Sequence, residues 1–379
     1  MVKICPLFVS AALVIVGCSE SGATSDAVTS TPPATDLVPA DSTPEFEPDS
    51  GEPSVSVPSA PNAPTTTGSP ASDGFVINGP ARVRPACDSL TPGVSELTLE
   101  AGGAVHDVRI FVPTKVVSDP APVVLNWHGL SSDGAQQAAF SGYERLAEQE
   151  GFITVHPTGV GLGSDGPNFW EVTGFEVPQV YDDPKRDDLA FADSLIDMIV
   201  ADWCADPDRV YSTGMSNGGY FTAELLCRRA DRIAAAVSVA GTTHPENCAP
   251  SRAVPYLAFH GTDDTVVPYL GTGESILIEE ADPDGFFGQV MPDEFAEFAA
   301  DAGCAPDPVR TEETPEVVSY VYSGCAEDVP MTFYEVVGGG HTWPDSPLAD
   351  QITGTVLGFV TDDISATVDG WAFMSQHSL

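Results

Sequence analysis

The sequence predicts an α/β fold in which a mostly parallel sheet is flanked by helices on both faces. Two observations carry this prediction. Short apolar runs alternate with longer amphipathic runs along the chain, and the chemically reactive residues follow directly after the apolar runs. In parallel sheets, ligands bind at the carboxyl ends of the strands, so this placement favours a site at that edge.

Each predicted strand is a short apolar run, beginning with the sequence VVLNW at 123–127. The predicted helices are longer, and the run 189–203 shows why: Leu195, Ile196 and Ile199 fall on one helical stripe. The strands predicted in chain order are 123–127, 152–155, 209–213, 234–240, 256–259 and 331–337. The helices predicted in chain order are 136–150, 189–203, 218–229, 293–302 and 364–376.

The first residues have the pattern of an export signal. Lys3 precedes a short apolar stretch that ends in small residues at Gly17 and Cys18. A cysteine directly after Gly17 resembles a bacterial lipobox, so we expect a lipoprotein-type signal peptide over 1–17 with Cys18 lipidated. The apolar stretch is shorter than the roughly 20 residues of a membrane-spanning helix. A single-pass anchor and an ordinary signal peptide with a chance cysteine are the alternatives.

Residues 18–81 are predicted to form a disordered acidic linker. They are rich in Pro, Ser and Thr and contain acidic residues but no Lys or Arg. They therefore offer too little apolar surface to offset the entropy of ordering. Residues 82–379 contain no repeat and no second break of this kind, which indicates one catalytic domain. With Cys18 as an anchor, we expect this domain outside the cell or at its surface, held to a bacterial membrane by lipid.

The charge balance excludes one class of function. The chain carries 56 acidic and 14 basic side chains and a net charge of −42. A nucleic-acid binder needs a basic face, so we expect no nucleic-acid partner. Solubility in a salty or acidic medium explains the acidity without a specific cationic partner.

Six of the eight cysteines remain after Cys5 in the signal and Cys18 at the predicted lipid site. An even number in an exported chain suggests three disulfides, although the sequence leaves the connectivity open. Proximity favours Cys304–Cys325 and Cys227–Cys248, which leaves Cys87 with Cys204. None of the six stands in a C-x-x-C pair, so a zinc site is disfavoured and we expect no metal and no cofactor.

The sequence GMSNGG at 214–219 follows a predicted strand and opens a predicted helix. A G-x-S-x-G turn between strand and helix is typical of a nucleophile elbow, which lifts the serine above the sheet. We therefore predict Ser216 as a nucleophile. The backbone amide of Asn217 then lies at a helix N-terminus, where it can stabilise an oxyanion.

A serine nucleophile needs a base and an orienting acid, which follow it in the order acid, then His. His341 stands in a glycine-rich loop directly after a predicted strand, whereas His377 is near the C-terminus on a predicted surface helix. We therefore predict His341 as the base. The acid lies in HGTDDTVVP at 260–268, and the spacing does not choose between Asp263 and Asp264.

The second oxyanion donor is expected in the loop NWHGLS at 126–131, after an earlier strand. The amide of Leu130 is the candidate, because Gly129 lets the backbone approach a substrate. His128 is a candidate for substrate binding or for stabilising the loop. Trp343, beside His341, and Trp170 are candidates for lining an acyl or aromatic pocket, with core packing as the alternative for Trp170.

The chain from about residue 123 resembles the secreted esterase family that joins polyhydroxybutyrate depolymerases with feruloyl and acetylxylan esterases. Six blocks in the same order carry this resemblance: WHG at 127–129, DDLAF at 187–191, DPDRVY at 206–211, GMSNGGY at 214–220, HGTDDTVVP at 260–268 and GGHTWP at 339–344. The resemblance implies an α/β-hydrolase fold, disulfides, no metal and a site open to polymeric or aromatic esters. The family pattern H-G-T-x-D selects Asp264 over Asp263.

These expectations combine into a serine carboxylic-ester hydrolase that works through an acyl-enzyme. Ser216 attacks the ester, His341 takes its proton and Asp264 orients the imidazole. Polyhydroxyalkanoates, feruloylated or acetylated polysaccharides and small esters all remain open as substrates. A serine peptidase of the same fold and a non-catalytic cell-surface binding protein are the rival interpretations.

Overall fold

The computed structural model describes residues 9–10, 13–14, 87, 90–115, 119–161, 167–174, 186–277, 282 and 284–379. The chain divides into two units, Met1–Val16 with Arg82–Leu379, and Gly17–Ala81. The linker and Cys18 lie outside the described residues. So does the predicted signal peptide, except for two short strands that pair antiparallel, Val9–Ser10 (β1) and Leu13–Val14 (β2).

The main sheet has ten strands in the described part of the chain. Its spatial order is β10-β11-β12-β9-β8-β7-β5-β6-β4-β3. The six central strands from β12 to β6 run parallel, and the two outer strands at each edge are antiparallel. The strands are β3 (Gly93–Ala101), β4 (Ala104–Val112), β5 (Ala121–Trp127), β6 (Ile153–Pro157), β7 (Ala205–Met215), β8 (Ala235–Val239), β9 (Tyr256–Gly261), β10 (Val309–Glu312), β11 (Val317–Tyr322) and β12 (Met331–Val336).

Helices cover both faces of this sheet. The helices are α1 (Gly134–Ser141), α2 (Tyr143–Glu150), α3 (Asp188–Asp202), α4 (Asn217–Arg228), α5 (Met291–Asp301), α6 (Ala349–Ile352) and α7 (Val368–Met374). Apolar side chains of α3, α4 and α5 pack in one buried cluster, and those of α2 and α7 pack in a second. The α/β-hydrolase fold class predicted from the sequence is confirmed.

Strand β5 shows how the two clusters are kept apart. Val123 and Leu125 belong to the cluster with α3 and α4, whereas Val124 belongs to the cluster with α2 and α7. Successive strand residues point to opposite faces, so a strand buried on both sides is apolar at most positions and not at alternate ones. This is why the central strands could be recognised as continuous apolar runs.

The edge strands and one helix differ from the prediction. Strands β3, β4, β10 and β11 were not predicted; β3 alternates half-buried and exposed residues, and β10 is exposed throughout, so neither forms an apolar run. The predicted helix 136–150 is two helices, α1 and α2. Gly142 lies between them with φ 73°, a left-handed conformation that ends α1 and turns the chain.

Three disulfides join the cysteines: Cys87–Cys204, the pair that remained, and Cys227–Cys248 and Cys304–Cys325, the pairs that proximity favoured. The first joins Cys87 to Cys204, the residue directly before β7. The second closes a segment that contains β8, and the third closes a segment that contains β10 and β11. Within the described residues, no helix is both long enough and apolar enough to cross a membrane.

Candidate active site

Ser216 occupies a strained turn between β7 and α4. Its backbone has φ 55° and ψ −122°, a conformation that few non-glycine residues adopt outside functional sites. The turn is tight because backbone passes close on both sides. A Cβ on Gly218 would lie 2.2 Å from the Trp127 carbonyl oxygen, and one on Gly214 would lie 2.3 Å from the Gly218 oxygen. The glycines of the motif are therefore required by packing, as a nucleophile elbow demands.

His341 and Asp264 form a buried pair. His341 Nδ1 lies 2.7 Å from Asp264 Oδ2, and each residue is only 5% exposed. Asp264 Oδ1 accepts hydrogen bonds of 2.8 Å from the backbone N–H groups of Val266 and Val267. A carboxylate only accepts, so Nδ1 of His341 carries the proton and Nε2 is left as a base.

The pKa of Asp264 reflects two opposing effects. Burial by itself would raise this pKa, because the charged form is desolvated. The neighbouring His341 and the hydrogen bonds from His260 and His341 outweigh burial and hold the pKa of Asp264 well below its usual range. Asp263, the alternative acid, is exposed to solvent. The structure thus pairs His341 with Asp264, the residue that the family pattern selects.

The three predicted triad residues follow three strands of the parallel part of the sheet. Ser216 follows β7, Asp264 follows β9, and His341 follows β12. Because these strands are parallel, their carboxyl ends lie at one edge of the sheet. Within the described residues, no hydrogen bond joins the Ser216 hydroxyl to His341. Catalytic hydrogen bonds of this kind often tighten only when substrate is bound.

His260 makes a contact that the sequence analysis did not assign. Its Nε2 lies 2.9 Å from the Val267 carbonyl oxygen and 3.4 Å from Asp264 Oδ2, and the side chain is fully buried. Both neighbours are acceptors, so Nε2 carries a proton directed at the acid and its loop. The position of His260 four residues before Asp264 was the available signal, but spacing does not show that the two side chains meet.

Two backbone segments meet at Ser216 as the oxyanion prediction requires. Asn217 is the first residue of α4, and the first N–H groups of a helix have no acceptor within it. On the other side, Gly129 approaches so closely that an added Cβ would lie 3.3 Å from Ser216 Cβ. Leu130 follows Gly129 and is half-buried. The roles of the Asn217 and Leu130 amides remain proposals.

The contacts of His128 fit the loop-stabilising role, which is one of the two roles expected for it. It is completely buried, and its Nε2 accepts a 2.8 Å hydrogen bond from the Gly159 N–H. Its Nδ1 therefore carries the proton, which it donates to the Gly129 oxygen at 2.7 Å. Burial lowers the pKa of His128 to about 4. Both nitrogens are used to hold the loop, so neither is left for a ligand.

Trp170 and Trp343 are also completely buried, which fits core packing, the alternative expected for Trp170, and places Trp343 in the interior as well. The Trp343 indole N–H donates to Thr367 Oγ1 at 2.9 Å, on the sheet face that carries α2 and α7. The Trp170 indole N–H donates to the His128 carbonyl oxygen at 3.1 Å, and its ring packs on Trp127. Large aromatic rings fill the interior here because they bury the most apolar area.

Neither group of possible metal ligands lies at this site. Among the described residues, His244, Cys248 and Asp301 converge in one place, and Glu316, Asp362 and Asp363 in another. Cys248 is bonded to Cys227, so it is not a thiolate ligand. The second group consists of acidic side chains at the surface, which are common without an ion.

The comparisons with known proteins point to hydrolases. Residues 138–249 match the model of the prolyl oligopeptidase family. A bifunctional acetylxylan esterase/xylanase of Neocallimastix patriciarum is 26% identical over 269 residues, 71% of this chain and 36% of that protein. Feruloyl esterase B of Piromyces equi is 29% identical over 280 residues, 72% of this chain and 45% of that protein. An acetyl xylan esterase structure from Aspergillus awamori aligns with TM-score 0.47 and 18% identity over 66% of this chain and 94% of its own.

The resemblance to feruloyl and acetylxylan esterases is confirmed by these relatives. The chain spans less than half of the length of the two curated relatives named here, 36% and 45%.

Proposed function

We propose that this protein is a serine carboxylic-ester hydrolase that works through an acyl-enzyme. The observation that carries the proposal is the buried His341–Asp264 pair, with 2.7 Å between Nδ1 and Oδ2, at the sheet edge where Ser216 occupies its strained turn. A nucleophile, a base and an acid that fixes the tautomer of the base are the parts that acyl transfer needs.

In the proposed reaction, His341 Nε2 takes the Ser216 proton as Oγ attacks the ester carbonyl carbon. The carbonyl oxygen becomes an oxyanion, which accepts hydrogen bonds from the Asn217 and Leu130 amides. The tetrahedral intermediate collapses, the alcohol leaves with the proton from His341, and Ser216 stays acylated. Water then attacks the acyl group with His341 as base, and this step releases the acid and restores the Ser216 hydroxyl.

For the substrate, we propose a polymeric or aromatic ester. Two relatives are named for acetylxylan and feruloyl esters, and the motif resemblance adds polyhydroxybutyrate. A panel of methyl ferulate, acetylxylan and a polyhydroxybutyrate suspension separates these classes by the ratio of kcat/KM. A serine peptidase is the second candidate, favoured by the match of residues 138–249 to the prolyl oligopeptidase family.

The decisive experiment compares the full chain with its Ser216→Ala variant on p-nitrophenyl butyrate, the ester panel and a proline-containing peptide. We expect ester hydrolysis by the wild type and a loss of roughly 10⁶-fold in the variant, because the nucleophile is removed. Covalent labelling of Ser216 by a fluorophosphonate is the independent readout. Peptide cleavage without ester hydrolysis would select the peptidase. A folded wild type that neither labels nor hydrolyses anything would leave a binding protein.

We also propose that the protein is exported and anchored by lipid at Cys18. Three disulfides are typical of oxidising compartments. The anchor rests on the sequence alone, since Cys18 lies outside the described residues. Incorporation of radiolabelled palmitate into the wild type but not into Cys18→Ala tests it, and equal labelling of the two would refute it.

A further inference from the structure

The side chain of Asn217 forms hydrogen bonds that are separate from the proposed role of its backbone N–H. Asn217 is 1% exposed, and its carboxamide forms a reciprocal pair with the backbone of Trp170. Nδ2 donates to the Trp170 carbonyl oxygen at 3.0 Å, and Oδ1 accepts from the Trp170 N–H at 2.7 Å. The two residues are 47 positions apart in sequence. One carboxamide therefore fastens the residue after the nucleophile to a distant segment.

The segment that Asn217 grips also holds the other side of the predicted oxyanion hole. The Trp170 indole N–H donates to the His128 carbonyl oxygen at 3.1 Å. Two residues earlier, the Asn168 carbonyl accepts from the Ser131 N–H at 2.8 Å, and Asn168 Nδ2 donates to the Ser132 oxygen at 2.9 Å. The segment 168–170 thus touches the chain on both sides of Gly129 and Leu130.

A buried ion pair also forms hydrogen bonds with the backbone of this segment and of the residue that follows it. Arg186 and Asp188 lie 2.6 Å apart and are 7% and 1% exposed at their side chains. Asp188 Oδ2 accepts from the Glu171 N–H at 2.8 Å, and Arg186 donates to the Phe169 carbonyl oxygen. Charged partners make these hydrogen bonds stronger than neutral ones. These hydrogen bonds hold the segment 168–170 in place beside Asn217 and the loop at 128–132.

We propose that the Asn217 side chain is a positioning residue for oxyanion stabilisation. By gripping Trp170, it fixes the Asn217 backbone N–H relative to the loop that carries the Leu130 N–H, so that both donors converge on one point. The inference rests on the proposed esterase function. Preorganised donors act on the charge that forms in the transition state, so loss of the grip should reduce kcat and leave substrate binding nearly unchanged.

The first test compares Asn217→Ala with Asn126→Ala in the full chain. Asn126 is the matched control: it is equally buried, and its carboxamide bonds to Ser141, His156 and Gln137 on the same sheet. We expect Asn217→Ala to lose about 10- to 100-fold in kcat at similar KM, and the Ki of a boronic acid inhibitor to rise by a similar factor. In Asn126→Ala, stability should fall while kcat per folded molecule stays within about threefold of wild type.

The second test uses Asn217→Asp, which preserves shape. A carboxylate can accept from the Trp170 N–H but cannot donate to its carbonyl, whereas a protonated carboxyl can do both. Burial without a cation raises the pKa of such a carboxyl. The ratio of variant to wild-type kcat/KM should therefore rise about tenfold or more as pH falls from about 8 to about 5.

The outcomes separate the two proposals. If the wild type neither hydrolyses esters nor labels at Ser216, the proposed function itself fails. If the wild type is active and Asn217→Ala retains kcat and inhibitor affinity as well as Asn126→Ala does, only the positioning role fails. An Asn217→Asp variant with wild-type kcat/KM at about pH 8 would likewise overturn the positioning role.

Discussion

The two sides of the candidate site are built from different interactions. The nucleophile side, which consists of Ser216, Asn217, Trp170 and His128, is held by neutral hydrogen bonds to backbone groups. The acid–base side, which consists of Asp264, His341 and His260, is held by contacts to one buried carboxylate. The four residues of the nucleophile side are thus held by neutral contacts, and the Arg186–Asp188 ion pair forms hydrogen bonds with the neighbours of Trp170. The acid–base side depends on a charge within the site itself.

The two sides should therefore respond differently to substitutions that change charge or protonation. On the acid–base side, a change of charge with no change of shape should abolish function, because the interactions depend on the ionised carboxylate. Among the four residues of the nucleophile side, the titratable group is the buried His128, which must stay neutral to accept from Gly159. Asp264→Asn and His128→Gln test this contrast, one on each side, and Trp343→Phe, with the smallest expected effect, tests a buried ring near His341 in sequence.

Asp264→Asn should be the most damaging shape-preserving change on the acid–base side. The amide can donate to His341, which favours the wrong tautomer, and it no longer stabilises the imidazolium. We expect kcat on p-nitrophenyl butyrate to fall about 10⁴-fold with little change in KM. Asp263→Asn is the matched control, since Asp263 is exposed, and its kcat should stay near wild type. Equal losses in both variants would contradict the assignment.

His128→Gln should change the pH dependence of stability. The pKa of His128 is about 4 in the folded protein and 6.5 as the ordinary value, so between these pH values the unfolded chain binds the proton more tightly. Stability is therefore lost as pH falls from 6.5 to 4, by about 3 kcal/mol from this residue. Replacing His128 should reduce the slope of the unfolding free energy against pH by about 1.4 kcal/mol per pH unit between pH 4 and pH 6.5.

Denaturant unfolding at a series of pH values measures this slope. His156→Gln is the companion variant, because burial lowers the pKa of His156 to about 3 and it is equally inaccessible. Each single variant should flatten the curve, and the double variant should flatten it further. An unchanged slope in His128→Gln would mean that His128 is not held neutral.

Trp343→Phe should affect stability rather than substrate choice, because the indole is buried and bonds to Thr367. We expect the free energy of unfolding to fall by about 1–3 kcal/mol from the lost hydrogen bond and the smaller ring. The ratio of kcat/KM for methyl ferulate to that for p-nitrophenyl butyrate should not change. A selective rise in KM for methyl ferulate would instead indicate that Trp343 contacts the substrate.

Much of the site could be predicted because local patterns carry it. The turn around Ser216 needs glycines at fixed positions, and the family pattern around Asp264 and His341 marks both residues. The sequence left open whether certain side chains contact a ligand or pack in the interior. His128, Trp170 and Trp343 stand next to reactive residues in sequence, but their side chains are turned into the core, and adjacency along a chain does not give that direction.

The sequence alone was enough to predict the central strands, the strand-to-helix turn at Ser216 and the chain order of Ser216, Asp264 and His341. These features depend on periodicity and on backbone conformations that only certain residues adopt, so a short stretch of sequence is enough to indicate them. The tertiary structure decided that His260 meets Asp264, that Asn217 grips Trp170 and that the edges of the sheet are antiparallel. The Asn217–Trp170 contact joins residues 47 positions apart, and the direction of the edge strands depends on pairing across the sheet. His260 and Asp264 are only four residues apart, but whether their side chains meet depends on the path of the loop after β9.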